Sequence, residues 1–540
     1  MTDIVLVQPP IRDFYLTRKR TFPYGLSRIA ACLRSAGFDV TLFDGLATDR
    51  KRPLPVPQAL QEAADLYGPP DASPFGLFHG WYHFGFSFEH CAEQIRKMQP
   101  WLVGISSLFT AYSGEALFLA KTIKKIHPKC KIVLGGHHPT AFPHDLLEDP
   151  DVDYVIRGDG EEAMTALACR LKTGRPLEGV PGLAFRDATG KAIAAEPAVV
   201  ADLDSLPPPA IDLVRLDRYS RRSRPALVVA ASRGCPMRCS YCCFGGDSSL
   251  GYRRMSWRRV MEEIDAALSR YDVGFIDFED EHVSIDREGM IGFLREFRTR
   301  YGNRRIELRA MNGLYPPSLD PELIREMRDA GFRTLNLSLG STDPVQMRRF
   351  NRPPVLEAFD RCLDAAAACG MDVVGYILMA APDQTADASL SDLLALAERR
   401  VLVGASVFYP APGSRDYGWC AEQGLLPSER AAFRSTAIPL SHRTSRLQTV
   451  TLMRIARMIN FIKHLMDMGF DPAHLDAAID GDALSERESN GAMLLHHFLS
   501  DGRIRGIDRE GNVFFHRIDE ATAEAFRAAI PSTRFRGVRT

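Results

Sequence analysis

The sequence predicts an α/β protein in three parts: a Rossmann-like domain over residues 1–200, a partial (βα)6 barrel over 225–430 and a mainly helical domain over 431–540, with 201–224 as the linker. Three observations predict this. Short β-branched runs alternate with amphipathic segments through the first part, as in a parallel sheet covered by helices. Six more strand candidates separated by helical segments then follow, the pattern of a βα barrel. Beyond about residue 430 the strand pattern ends and helical periodicity takes over.

In the first part, "DIVLVQPP" is a buried strand stopped by two prolines. In "LSRIAACLRSAGF", Leu26, Ile29, Ala30 and Leu33 share one helical face, and Gly37 supplies the stop. "DVTLFDG" is the second strand. After a loop rich in proline and aromatics come a helix in "FEHCAEQIRKMQP", a strand in "WLVGISSL", a helix in "GEALFLAKTIKKI" and a strand in "KIVLGG". "VDYVIRGDGEEA" is a fifth strand turning into a helix. "DLDSLPPPAIDL", 202–213, can continue neither a helix nor a central strand and marks the boundary.

The barrel strands are expected in "RPALVVAASRG", "VGFIDFEDEH", "RRIELRAMNG", "TLNLSLGS", "MDVVGYILMAAP" and "LVGASVFYPAPGS". In the last part, "LQTVTLMRIARMINFIKHLMDMG" reads as a long buried helix and "GRIRGIDREGNVFFHRID" as a hairpin turned at Arg509 to Gly511.

The 540 residues are 45% apolar and 25% charged, enough for several cores. The formal net charge of −1 gives no excess that would favour nucleic acid or a membrane surface, so the expected partner is a small-molecule or peptide substrate. No run approaches the roughly 20 apolar residues that span a bilayer, and "MTDIVLVQPP" has no secretory signal pattern. A cytoplasmic enzyme is expected. The scattered cysteines Cys32, Cys91, Cys130, Cys169, Cys362, Cys369 and Cys420 form no disulfide framework.

The other four of the eleven cysteines crowd into "SRGCPMRCSYCCF", 232–244. Cys235, Cys239 and Cys242 form CxxxCxxC, whose thiolates can converge on one side of a cubic iron–sulfur cluster and leave one of four irons open. Structural zinc is the alternative, but its fourth ligand would have to be Cys243, adjacent to Cys242 and poorly placed to share a tetrahedron. Cys243 is expected to be a packing or bystander thiol.

CxxxCxxC after the first strand of a βα barrel, with Tyr241 before the last cysteine, resembles the radical S-adenosylmethionine (SAM) superfamily. The resemblance implies a 4Fe-4S cluster on Cys235, Cys239 and Cys242. Its open iron chelates SAM, and one-electron reduction by an external flavodoxin- or ferredoxin-type donor yields a 5′-deoxyadenosyl radical. It also implies that Glu279 and Asp280, in "FEDEH" at the second strand's end, lie near the methionine moiety; a helix-capping role before "SIDREGM" is the competing reading. Arg309, Asn312 and Ser338, at later strand ends, are candidates for SAM carboxylate or ribose contacts, or for polar residues of the barrel itself.

"SSL" and Gly135-Gly136 end the third and fourth strands, with 26 residues between Leu108 and Gly135. Together with the segments that follow, this resembles the SxL and GG parts of the cobalamin-binding pattern in cobalamin-dependent radical SAM enzymes. There Ser106, Leu108, Gly135 and Gly136 would border the cofactor's nucleotide tail at the sheet's switch point. The family's histidine below cobalt would follow the first strand, where "QPPIRDFYLTRKR" has none. His137 and His138 are read as hydrogen-bonding loop residues, and cobalamin is expected without a protein histidine beneath it. The aromatic stretch "PFGLFHGWYHFGFSF", 74–88, with His79 and His83, could cover the corrin but is read as apolar packing of a long loop.

What the resemblance implies is a methyltransferase acting on an unactivated carbon. One SAM methylates cobalamin, a second generates the radical, and the substrate radical takes the methyl group. A cyclase or rearrangement enzyme using cobalamin, a cobalamin-binding sensor or carrier, and a zinc-stabilised binding protein are the alternatives.

Overall fold

The computed structural model describes residues 2–15, 22–245, 250–471 and 484–539. Part of the histidine-free "QPPIRDFYLTRKR" segment, 16–20, lies outside them.

The five expected strands of the first part are β1 (Ile4–Gln8), β2 (Val40–Asp44), β3 (Leu102–Ser106), β4 (Lys131–Gly135) and β5 (Tyr154–Ile156), all parallel, with β1 flanked by β2 and β3. Alternate residues of β1 face opposite layers. Ile4 and Leu6 pack with helices α1 (Tyr24–Ser35) and α2 (Gly160–Thr173), while Val5 and Val7 pack with Phe88, Ile95, Leu119 and Ile123 on the other side. Order 2-1-3-4-5 puts the switch point between β1 and β3, where a ligand crevice opens at the strands' carboxyl ends.

Two features differ from the sequence expectation. The sheet is mixed: β6 (Leu183–Arg186) and β7 (Ala192–Ala194) extend it past β5 as antiparallel edge strands. The aromatic stretch is also more than a loop, since Trp81–Phe84 is the middle strand of an antiparallel sheet between Ile11–Asp13 and Lys51–Leu54. Its run of aromatics hides the period of two, and its partners lie far away in sequence. Pro53 is tolerated because its strand is an edge. The packing itself is as expected: Trp81 meets Phe14 edge-on, Phe78 meets Tyr15 and Tyr67, and Phe75 meets Phe461.

All six barrel strands form: β8 (Arg224–Val229), β9 (Phe275–Phe278), β10 (Glu307–Ala310), β11 (Thr334–Gly340), β12 (Asp372–Met379) and β13 (Leu402–Val407). β8 to β10 are parallel, β11 to β13 are parallel, and the two groups join through the parallel bridges Leu308 to Phe332 and Leu314 to Leu337. Helix α3 (Trp257–Leu268) follows the cysteine loop. The expected long helix is α4 (Arg446–Asp467), opened by a capping box on Ser445 and Gln448. The expected hairpin pairs Arg505–Ile507 with Val513–Phe515.

The segment between the first two parts is packed rather than loose. Leu203, Leu206, Ile211, Val214 and Leu216 are buried in one apolar cluster that runs from β1 through the barrel into α4. Arg28 of α1 forms a buried ion pair with Glu263 of α3 at 2.8 Å and donates to Pro207 O at 3.2 Å, so one side chain joins domain, linker and barrel. Lys463 of α4 donates to the carbonyls of Ala397, Arg399 and Arg536. No described helix is long and apolar enough to cross a membrane.

Removing one member of a buried pair strands the other. Glu263→Ala is expected to lower stability by about 3–5 kcal/mol, and replacing Arg28 and Glu263 together by apolar residues to recover much of that loss. Thermal and urea unfolding of the two variants measure it.

Candidate active site

The cysteine loop leaves β8 at the barrel mouth. Gly234 has φ +73°, and a side chain there would strike Gly251 O, so only glycine makes this turn. Cys235 N donates to Phe244 O at 3.0 Å, closing the loop, and Cys242 N donates to Cys239 O at 3.1 Å within it. Burial raises the thiol pKa of Cys235, and that of Cys242 to about 12; for Cys242 the neighbouring Cys243, Cys239 and Cys235 push further in the same direction. Three mutually interacting thiols on one short loop are a donor set that suits iron. Among the described residues, no three Cys, His, Asp or Glu side chains already form a metal cage.

Arg233, two residues before Cys235, reaches across to the Rossmann-like domain. It pairs with Asp159 at 2.9 Å and with Glu161 of α2, and Arg253 also binds Asp159. Sequence reading passed over Arg233, although its opposite charges stand in the quoted "RGDGEE".

Asp280 is 3% exposed and turns back toward β8, accepting from Ser232 Oγ at 2.5 Å and Ala231 N at 3.1 Å. Desolvation raises its pKa to about 7 against these hydrogen bonds. The helix-capping role belongs instead to Asp286, which accepts from Gly289 N. Glu279 is exposed at the mouth, and burial of its surroundings raises its pKa. Asn312 donates to Glu279 O at 3.0 Å. Arg309 lies lower, beside Glu307 at 3.6 Å. Ser338 sits where a bulge shifts the β11–β12 register, and its hydroxyl accepts from Arg352 at 2.9 Å. Arg352, 6% exposed, also donates to Tyr241 OH at 3.2 Å and lies over the Tyr315 ring. Nearby His282 is 7% exposed and has no hydrogen-bond partner among the described residues on either ring nitrogen, and burial lowers its pKa to about 4. Only tertiary placement exposes Arg352 and His282 as site residues.

At the carboxyl ends of β3 and β4, beside the switch point, Ser106 pairs in register with Gly135, and Ser107 N donates to Gly135 O at 2.8 Å. Leu108 follows, half-buried. A Cβ on Gly136, φ +127°, would lie 2.7 Å from Ser107 O, whereas one on Gly135 would meet nothing within 4 Å. The Ser107 hydroxyl is buried with no hydrogen-bond partner among the described residues. A narrow glycine gap with an orphaned hydroxyl beside it fits a polar, slender cofactor tail. His138 is buried against Thr110 at 3.2 Å, a hydrogen-bonding role as expected. His137, next to Gly136, meets the Phe244 ring edge-on with centroids 4.4 Å apart. The glycine turn and the cysteine loop therefore touch.

A cavity of about 470 Å³ lies here, lined by Tyr15 and Phe78 from the first part, Tyr241 to Phe244 from the cysteine loop, Phe408 and Tyr409 after β13, and Met453 of α4. Cys243, expected as a packing or bystander thiol, lines this cavity beside Cys242.

The B12 binding domain family matches residues 82–168, and the radical SAM superfamily matches residues 229–394. The chain thus joins a B12 binding domain to a radical SAM domain. Among curated relatives of this enzyme, an uncharacterised methyltransferase of Pyrococcus horikoshii is 24% identical over 78% of this chain and 84% of its own. The cytidylyl-2-hydroxyethylphosphonate methyltransferase of Streptomyces wedmorensis is 24% identical over 77% and 81%. Among solved structures, the radical SAM methyltransferase TsrM of Kitasatospora setae, with cobalamin and a 4Fe-4S cluster bound, has the same fold at a TM-score of 0.59, 18% identity, 81% of this chain and 82% of that one.

Two outcomes are expected of the radical SAM enzyme's own residues. Gly136→Ala, forced against Ser107 O, abolishes retention of hydroxocobalamin in an equilibrium binding assay while the iron content after reconstitution stays unchanged. Asp280 in the folded chain holds its proton up to about pH 7, whereas an unfolded aspartate releases it near 4. Folding therefore takes up a proton between those values, and this group makes stability fall as pH rises from about 4 to about 7. Asp280→Asn removes that slope, read from urea midpoints across the range.

Proposed function

We propose that this radical SAM enzyme transfers a methyl group to an unactivated carbon of a small-molecule or peptide substrate. The observation that carries the reading is the contact of His137 with Phe244, which brings the glycine turn of one domain against the cysteine loop of the other. The bound cofactors supply, from the cluster and SAM, a 5′-deoxyadenosyl radical and, from cobalamin, the transferable methyl group.

The chain's own residues do the holding and screening. Cys235, Cys239 and Cys242 would hold the cluster, and Ser106, Leu108, Gly135 and Gly136 would border the cobalamin tail. Glu279, Asn312, Arg309 and Ser338 are the SAM-side candidates, with Asp280 fixing the strand that leads to the cysteines. The cavity's walls are largely apolar and aromatic, so little on them holds water beside a radical reaction, which protects reactive species from side reactions. Electrons come from an external flavodoxin- or ferredoxin-type donor in the cytoplasm, a setting supported by eleven unpaired cysteines.

Anaerobic reconstitution is expected to give about four iron and four sulfide per chain with absorbance near 400 nm. A Cys235→Ala, Cys239→Ala, Cys242→Ala variant is expected to cleave no SAM. With host extract and SAM labelled in its methyl group, label enters a product. Product formation without label would mean cyclisation or rearrangement instead.

A further inference from the structure

The cysteine loop meets a second loop residue by residue. Arg349 ends the helix Pro344–Arg349 that comes after β11, more than a hundred positions away in sequence, and Phe350, Asn351 and Arg352 follow it. Asn351 Nδ2 donates to Arg238 O at 2.7 Å. Phe350 O accepts from Ser240 N at 2.9 Å, and its ring meets Tyr241 edge-on at 5.1 Å. Arg352 donates to the Tyr241 hydroxyl. Asn351 has φ +51°, a left-handed conformation that asparagine tolerates better than most residues, and it turns the chain beneath the loop.

A buried carboxylate braces this contact. Asp416, 1% exposed, lies in the helix Arg415–Glu422 beyond the last barrel strand. Its Oδ2 accepts from Ser240 Oγ at 2.8 Å, its own N donates to Ser240 O at 2.9 Å, and its Oδ1 accepts from Arg349 at 2.6 Å. Ser240 stands between the second and third cysteines and is itself 3% exposed. The Ser240 hydroxyl and both oxygens of Asp416 are thus answered by protein. Buried groups so matched specify one conformation, because any other leaves them unpaired.

Resting on the reading of Cys235, Cys239 and Cys242 as cluster ligands, we propose that the 349–352 turn, braced by Asp416, is a template that shapes the cysteine loop before any iron binds. Ser240 and Asp416 are then positioning residues. The metal meets a loop whose backbone is already set, and the side chains need only rotate. A loop shaped by its cluster would need none of these partners.

Hydrogen–deuterium exchange on the metal-free full-length chain, kept anaerobic, tests this directly. The amides of Ser240 and Cys242, which donate to Phe350 O and Cys239 O, are expected to exchange at least a hundredfold more slowly than in an unstructured peptide. Ser240→Ala and Asp416→Ala are expected to speed that exchange at least tenfold and to slow iron and sulfide uptake by a similar factor. Ser240→Thr, which keeps the hydroxyl, stays near wild type. Unchanged protection of β1 to β5 certifies that the variants are folded, and Ser240→Ala removes only one oxygen should Asp416→Ala fail that control. The template idea is overturned if the wild-type loop exchanges at the unstructured rate, or if Ser240→Ala leaves both exchange and uptake unchanged. A protected loop in a wild-type chain that takes up no iron would uphold the template and sink the proposed function instead.

Discussion

The arrangement depends on a cluster of opposite charges between the two cofactor-binding parts. Arg233 and Arg253 flank the cysteine loop and grip Asp159 and Glu161 at the end of the Rossmann sheet, with Asp159 and Glu161 side chains 9% and 4% exposed. Charges so shielded from water hold position only while they are paired, because separation leaves each uncompensated. The pairing fixes the angle at which the glycine turn faces the barrel mouth. A second polar hub does the same from the far side: Arg434 enters the first part from the C-terminal region, pairing with Asp13 at 3.1 Å and donating to the carbonyls of Arg12 and Ala111. The cavity between the parts keeps its shape because both of its rims are pinned.

Much of this was legible in the sequence, for identifiable reasons. Strands such as Ile4–Gln8 and Asp372–Met379 carry dense apolar runs between clear stops, and their helices carry unbroken 3.6-residue periodicity. The thiols and glycines were legible because few other residues can do their work: a left-handed turn at Gly234 and the gap above Ser107 both demand glycine.

The remainder was hidden by distance. Trp81–Phe84 becomes a strand only because two remote segments accept it, and the antiparallel edge strands β6 and β7 are too short to carry a pattern. Asp280 looked alike as a cofactor contact and as a helix cap; its turn back to Ser232 follows from the strand pairing of β8 and β9, which local sequence does not state. Arg352, His282 and Asp416 are single polar residues in ordinary surroundings, and their importance lies wholly in what folding sets beside them.

The uninterrupted apolar cluster that runs from β1 through the 203–216 segment into α4 bears on how such enzymes can diversify. Three parts that share one interior cannot be exchanged between relatives like beads on a string, since each cut would expose apolar surface on both pieces. Change is confined to the cavity walls and the surface loops, where a side chain can vary without reopening the shared interior. For recombination experiments, exchange is confined to loops such as that around Tyr409, and the shared interior passes from one relative to another only as a unit.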